Sequence, residues 1–422
     1  MYSTTKLKNR LNLIMAPLKG TAAVTVLVLV PVGSRYESKN INGVSHFVEH
    51  LLFKGTKKRP TSIDITKELD AVGAEFNAFT SKDLTGYYIK AAAKNIEMAF
   101  DILSDMMLNS VFDKNEINKE RGVIVEEINM YNDNPLMALH GLFEETVFSG
   151  NSLGWQIAGP KKVVKNISRA QLVAYKNKYY KPSNFIVTVS GDFNQARVKS
   201  LANKYFGQKN ERKVTGSYKK LTTKQSKPRV SLVYKDTLQV QMGLGFPAFA
   251  QGDKRIYAAY LLSIILGGNM SSRLFDVVRE QHGLAYFIRA EIDAYQDVGS
   301  FMVQAGLDKS RLPEAIKLIL SEFKKAADEG VTDKELKMSK DYLKGKLVLA
   351  LEDSESVADW YGKQLALHKK ISTPAQRLKK ITAVTPTQVK RVAEEIFKEE
   401  KLNLVLIGPF KSKTDLQKLL KF

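Results

Sequence analysis

Two histidines four residues apart, with a glutamate directly before the second, are the residues of this chain best suited to chemistry: His46-Phe-Val-Glu49-His50. On a helix, positions i and i+4 lie one above the other, so both imidazoles project from one face toward one point. Glu49 sits on the same broad face, within reach of a water held there. Zinc accepts two imidazoles and a carboxylate and keeps a fourth position for water. The metal lowers that water's pKa toward ~7, and a nearby glutamate can take the proton. The order His-x-x-Glu-His is the inverse of the more familiar His-Glu-x-x-His. Around these three residues the segment is apolar (Val44, Phe47, Val48, Leu51, Leu52, Phe53). It therefore reads as a buried helix, and polar groups on a buried helix need a reason to be there.

A third ligand must come from elsewhere. The helix expected after Asp113 carries Glu116, Glu120, Glu126 and Glu127, with Val123, Ile124, Ile128 and Tyr131 read as its apolar stripe. Glu127 stands four residues after Val123 and three after Ile124, hence on the buried face. Glu126 points about 100° away by helix geometry. Glu127 is therefore the expected ligand, and Glu120, two turns earlier on the same stripe, is expected to orient a histidine from behind.

The elements that must hold these residues fall into two halves, repeated at an offset near 217 to 220 residues. Ser168-Arg-Ala-Gln171 and Thr385-Pro-Thr-Gln388 each open a helix with a capping box, and each is followed by an apolar strand ending in glycine, at Gly191 and Gly408. Asp113-Lys-Asn-Glu116 and Thr332-Asp-Lys-Glu335 are a second matching pair of helix starts, both expected to form capping boxes. Alternating strands precede them, over Phe76 to Lys90 and Tyr286 to Ala305, and the run Val24 to Val32 reads as a buried strand. The expected fold class is α+β: two homologous α/β-sandwich domains in tandem, each a mostly antiparallel sheet with helices packed on one side. The expected boundaries are 1–209 for the metal-binding domain, 210–229 for a polar, basic linker, and 230–422 for a second domain without metal ligands. Where the first half has His46, the second has Leu266 in an apolar run.

The 422 residues are too many for one ordinary core, and 44% hydrophobic with 26% charged residues is a globular balance. No apolar run is long enough to span a bilayer and no signal-peptide pattern opens the chain, so a cytoplasmic location without a transmembrane segment is expected. The absence of cysteine excludes thiolate zinc sites and cysteine nucleophiles. The net charge of +21 is spread along the whole chain, without a dense basic helix or interleaved aromatics, so no nucleic-acid partner is expected. His140 and His368 read as ordinary, and His282 as a partly exposed structural residue.

Taken together, His46-Phe-Val-Glu49-His50-Leu-Leu-Phe-Lys-Gly-Thr56, Asn77-Ala-Phe-Thr-Ser81 and Glu120-Arg-Gly-Val-Ile-Val-Glu-Glu127 resemble the pitrilysin-type inverzincin peptidases. The nearest in size is the group around mitochondrial processing peptidase and its bacterial relatives, with insulin-degrading enzyme a larger cousin. The resemblance covers nearly the whole chain. It implies one Zn2+ per chain on His46, His50 and the glutamate aligning with Glu127, with Glu49 as general base. Ser272 to Tyr286 looks like the family's Arg/Tyr segment, and by that resemblance Arg279 and Tyr286 hold a substrate carbonyl and its developing oxyanion. Such donors suit a tetrahedral oxyanion.

The resemblance further implies a homodimer, or a heterodimer with a separate partner, that closes a chamber in which each zinc meets the Arg/Tyr pair of the other subunit. The segment Asn77, Ala78, Phe79 and Thr80 reads as an edge strand to which an extended peptide can pair. The function expected is that of a zinc endopeptidase cleaving unfolded peptides. A weakly active or inactive peptide-binding partner subunit of a two-subunit peptidase is the second reading.

Overall fold

The computed structural model describes residues 2–207, 214, 216–222 and 225–421. Parts of the expected 210–229 linker (210–213, 215, 223 and 224) lie outside the described residues. The chain forms two compact units. The first comprises 1–129, 155–219 and 347–372, and the second 130–154, 220–346 and 373–422.

In the first unit six strands form one sheet: β1 (Ser3–Lys6), β2 (Asn12–Pro17), β3 (Ala23–Val30), β4 (Glu75–Thr80), β5 (Thr85–Ala92) and β6 (Ile186–Gly191). Their order is β1-β2-β6-β3-β5-β4, antiparallel throughout except for the parallel β2/β6 pair. β3 is buried on both faces, which is why its sequence AVTVLVLV is apolar at almost every position rather than alternating. Val24, Val26, Val28 and Val30 face the main core with Phe47, Phe100 and Leu103. Leu27 and Leu29 face a smaller core closed by Val357, Ala358 and Tyr361 of the helix Ser354–His368.

The second unit repeats this plan with β7 (Arg229–Tyr234), β8 (Gln239–Ala248), β9 (Ala285–Ala294), β10 (Gly299–Asp308) and β11 (Asn403–Gly408). The order β7-β11-β8-β10-β9 is that of the first sheet without β1, with the parallel pair again at β7/β11. β6 begins at 186 and β11 at 403, an offset of 217 residues that agrees with the repeat. Here a minor core is closed by Leu139, Phe143 and Val147 of the helix Pro135–Val147, against Met302, Val405 and Ile407.

Each sheet thus carries its main helical layer on one face and one further helix on the other. That further helix does not come from the contiguous half: 135–147 belongs to the second unit and 354–368 to the first. A helix is recruited to whichever apolar face it covers, and sequence proximity does not decide this.

Local signals behave as the residues dictate. The Ser168/Gln171 and Thr385/Gln388 capping boxes form, the latter with Pro386 at the first helical position. Thr332 and Glu335 also bond reciprocally. At Asp113 only the forward half is made, to the Asn115 and Glu116 amides, because Glu116 pairs with Lys119 at 2.6 Å.

Candidate metal centre

The motif helix runs Val44–Leu52 and begins after Gly43, which adopts a left-handed conformation (φ 101°). Only glycine fits there, because a Cβ would lie 2.4 Å from the Ala158 carbonyl oxygen. Val44, Phe47, Val48, Leu51 and Leu52 anchor the helix in the main core. Its remaining face presents His46, Glu49 and His50, as i and i+4 spacing requires.

The second helix of the site, Lys114–Asp133, packs by Ile117, Ile124 and Ile128. This corrects the expected stripe: Val123 and Tyr131 are exposed, and the buried line is Ile117, Glu120, Ile124 and Ile128, with Glu127 half-buried beside it. The line shifts because a buried carboxylate occupies one apolar-face position. Glu120 and Glu127 both face the motif helix, while Glu126 is exposed and bonds Asn129.

Three ligand atoms converge. His46 Nε2 and His50 Nε2 lie 3.2 Å apart, and Glu127 Oε2 is 3.5 Å from the first and 3.4 Å from the second. A tetrahedron with bonds of about 2.0–2.1 Å has edges of about 3.3 Å, so the triangle matches one face of a zinc coordination shell. The proton inventory agrees. Glu120 Oε2 lies 3.0 Å from His50 Nδ1, and when Nδ1–H donates to it the Nε2 lone pair points at the centre. Glu120 is itself held by Lys54 at 2.7 Å. Two imidazole nitrogens and a carboxylate oxygen crowded at these distances repel one another unless a cation lies between them. The residues present fit zinc.

Without a metal, a proton supplies that cation. Burial drives the His46 imidazole down to about 4, helped by the charge on His50. Burial opposes charge on His50 as well, but the Glu120 and Glu127 carboxylates outweigh it and lift His50 to about 9. Its bond to His50 holds the Glu127 carboxyl below the usual range. For Glu120, burial pushes upward, yet His50 and Lys54 prevail and hold it low. Glu49 differs: burial raises it, and the Thr80 hydroxyl donates to it at 2.6 Å. A carboxylate beside the ligands that favours its proton can both take one and return it.

Thr80 ends β4, the edge strand of the first sheet. Asn77, Ala78, Phe79 and Thr80 all lie on it, paired with Tyr88, Tyr87, Gly86 and Thr85 of β5. The Ser81 amide bonds the Leu84 carbonyl, so by antiparallel alternation the amides of Thr80 and Ala78 point away from β5. The Ala78 amide accordingly rests on the side chain of Asn77 at 2.9 Å.

Arg279 and Tyr286 belong to the second unit, Arg279 in a π-helical turn (Phe275–Gln281) and Tyr286 at the start of β9. The guanidinium stands 5.6 Å from the Tyr286 ring centre, and Tyr286 is 79% exposed. Leu266 is buried in the apolar helix Ile256–Gly267, which carries no histidine. One constellation escaped the sequence reading. His140, expected to be ordinary, meets Asp293 at 2.9 Å, and with Glu291 their ligand atoms all lie within 4.8 Å. Its signal was weak because the carboxylates come from β9, some 150 residues away.

Known proteins match most of the length of this chain. A family model described as Insulinase (Peptidase family M16) matches residues 14–161, and one described as Peptidase M16 inactive domain matches residues 166–343. The chain is 34% identical to an uncharacterized zinc protease of Bacillus subtilis, YmxG, over 95% of this chain and 97% of that protein. Its structure is similar to that of a protease from Helicobacter pylori (TM-score 0.90, 28% identity, 97% and 99% of the two chains). A chain of complex III2 from Candida albicans shares the fold (TM-score 0.84, 100% of both chains) at only 15% identity.

Proposed function

This chain belongs to the insulinase family of peptidases, peptidase family M16, and from that premise we propose that it is a zinc endopeptidase acting on unfolded peptides. That it is a zinc-dependent peptidase follows from the family and its named relatives. The substrate class, the roles of individual residues and the assembly are the proposal. The observation that carries it is the convergence of His46, His50 and Glu127 at 3.2–3.5 Å with Glu49 alongside. A chain of complex III2 shares the fold, but a chain with no catalytic task has no need of this complete set.

In this reading His46, His50 and Glu127 hold the zinc, and Glu120 fixes the tautomer and orientation of His50. Zinc bound there supplies Lewis acidity toward a water and a peptide carbonyl. Glu49 takes the proton from the attacking water and passes it to the leaving amine, a cycle its burial and the Thr80 donor suit. An extended peptide adds to the outer edge of β4, pairing with the backbone at Ala78 and Thr80, while the side chains of Asn77 and Phe79 point to the opposite face. Backbone pairing tolerates many sequences but requires an unfolded stretch.

Arg279 and Tyr286 present a guanidinium and a phenol to solvent, donors suited to the oxyanion. They act across a homodimer, each pair completing the zinc site of the other subunit.

The test is metal content together with cleavage of a mixed unfolded-peptide library by the wild type and Glu49→Gln. We expect about one zinc per chain in both proteins. We expect turnover to fall by about 10²-fold or more in the variant, as loss of a general base predicts. Zinc without cleavage by the wild type moves the assignment to a peptide-binding partner subunit.

A further inference from the structure

The motif helix starts without the usual cap. Its N-cap residue is Gly43, which has no side chain to accept from the free amides of the first turn. Glu37 fills that place from the preceding loop. Its Oε2 accepts from the Gly43 amide at 2.7 Å and the Asn42 side-chain amide at 2.8 Å, and its Oε1 accepts from the Ser45 amide at 2.8 Å. The Asn42 side chain also donates to the Gln156 carbonyl at 3.1 Å. A carboxylate at this end of a helix is favoured by the helix dipole. Yet the carboxyl is buried, and burial lifts it to about 7. A buried charge is an expensive way to cap a helix, but the usual serine or aspartate cap cannot stand at position 43, where a Cβ would lie 2.4 Å from the Ala158 carbonyl oxygen.

The same loop grips the other side of the site. The Ser34 amide donates to the Ser81 carbonyl at 3.0 Å and the Arg35 amide to the Lys82 carbonyl at 3.1 Å. The Arg35 guanidinium meets Asp83 at 3.1 Å with both groups buried. A Cβ at Gly33 would lie 2.1 Å from the Ser81 carbonyl oxygen, so the approach is as close as backbone allows. Ser81 to Asp83 is the turn joining β4 to β5, directly after Thr80. One five-residue stretch, Gly33 to Glu37, therefore holds the start of the helix bearing Glu49 and the turn that directly follows Thr80. Those two elements meet at the 2.6 Å Thr80–Glu49 bond.

We propose that Gly33–Glu37 is a bracket that sets the position of the motif helix relative to the edge strand, with Glu37 as a positioning residue for the zinc ligands and for Glu49. The inference rests on the peptidase reading for its kinetic consequence, but its effect on the metal is independent of turnover. The backbone amides that Glu37 holds, those of Gly43 and Ser45, lie three residues and one residue before His46. Releasing them lets the first turn fray and His46 drift from His50, while the β4 edge that binds peptide stays in place.

The experiment uses the full chain with Glu37→Gln and Glu37→Ala, and Leu103→Ala as a control. Leu103 is a buried residue of the same main core, outside the site. Zinc affinity is read by competition with a chromophoric chelator, kcat and KM on an unfolded peptide, and folding by thermal melting. We expect Glu37→Ala to weaken zinc by about 10- to 100-fold and to lower kcat by at least about 10-fold, with KM within about twofold. Glu37→Gln should fall between, since one amide oxygen replaces two acceptors. Leu103→Ala should melt lower yet keep wild-type zinc affinity and kcat.

Wild-type zinc affinity and kcat in both Glu37 variants would overturn the proposal. So would equal losses in Leu103→Ala, which would make the effect one of general stability. If Glu37→Ala does not fold, Glu37→Gln decides. If the wild type binds zinc but cleaves nothing, the failure is that of the peptidase reading, and the affinity arm still judges the bracket.

Discussion

Carboxylates of one chemical type are set to different tasks here by their surroundings. Glu120 and Glu127 face cationic or donating partners and are held ionised, as a ligand and its support must be. Glu49 and Glu37 are raised by burial, but among the described residues Glu37 accepts from Asn42, Gly43 and Ser45, whereas Glu49 accepts from Thr80 and lies beside the candidate ligands. In the proposed reading, that difference separates Glu37 as a positioning residue from Glu49 as a proton carrier. His140 shows the same logic with opposite sign. Burial opposes its charge, but Asp293, Glu144 and Glu291 outweigh it and raise it to about 9. A histidine whose folded pKa lies above its unfolded value, about 6.5, binds more protons when folded. Its contribution is complete below about pH 6.5 and is lost as pH rises through about 9. Denaturant midpoints of wild type and His140→Gln at pH 6 and pH 9.5 should therefore differ more at pH 6. An equal difference at both would show that the His140–Asp293 pair carries no such linkage.

At the level of elements, the proposal that an extended peptide adds to β4 rests on the edge position of that strand. The amides of Ala78 and Thr80 face outward, whereas those of Asn77 and Phe79 belong to the ladder with β5. Proline is tolerated on an edge strand where its missing N–H faces solvent. Ala78→Pro should thus leave zinc content intact while kcat/KM for peptides falls by about 10-fold or more, as loss of one backbone bond to substrate and a blocked approach predict. Unchanged kcat/KM in a folded, zinc-loaded variant would mean that peptides do not bind by adding to this strand.

For the whole molecule, the proposal of composite sites in a homodimer makes a numerical demand. Glu49→Gln removes the base on one chain and Tyr286→Phe a donor supplied to the other, so each homodimer is impaired at both sites. A mixed dimer has one impaired and one intact site. With random pairing, mixing the two variants should restore about a quarter of wild-type activity, because about half the dimers are mixed and each has one of two sites. No recovery after subunit exchange, or full activity in a monomer by light scattering, would refute the shared site. No helix among the described residues is long and apolar enough to cross a membrane.

The sequence alone determined what local spacing governs. The i, i+4 histidines, the capping boxes, the apolar β3 run and the choice of Glu127 over Glu126 all follow from helix and strand periods, which are properties of a few neighbouring residues. The duplication was legible because the same caps and strands recur at a fixed offset. Tertiary structure decided what depends on non-local cover. The sequence reading placed Val123 and Tyr131 on the buried stripe, but both are exposed, and Ile117 joins Glu120, Ile124 and Ile128 there instead. The allocation of helices 135–147 and 354–368 to opposite units was set by which sheet face each could bury. The cap that Glu37 provides and the pairing of His140 with Asp293 were likewise invisible, since no periodicity links a loop carboxylate to a later helix start, or a helix to a strand 150 residues on. Short-range geometry is written in the order of residues, whereas burial against distant surface exists only once the chain has folded.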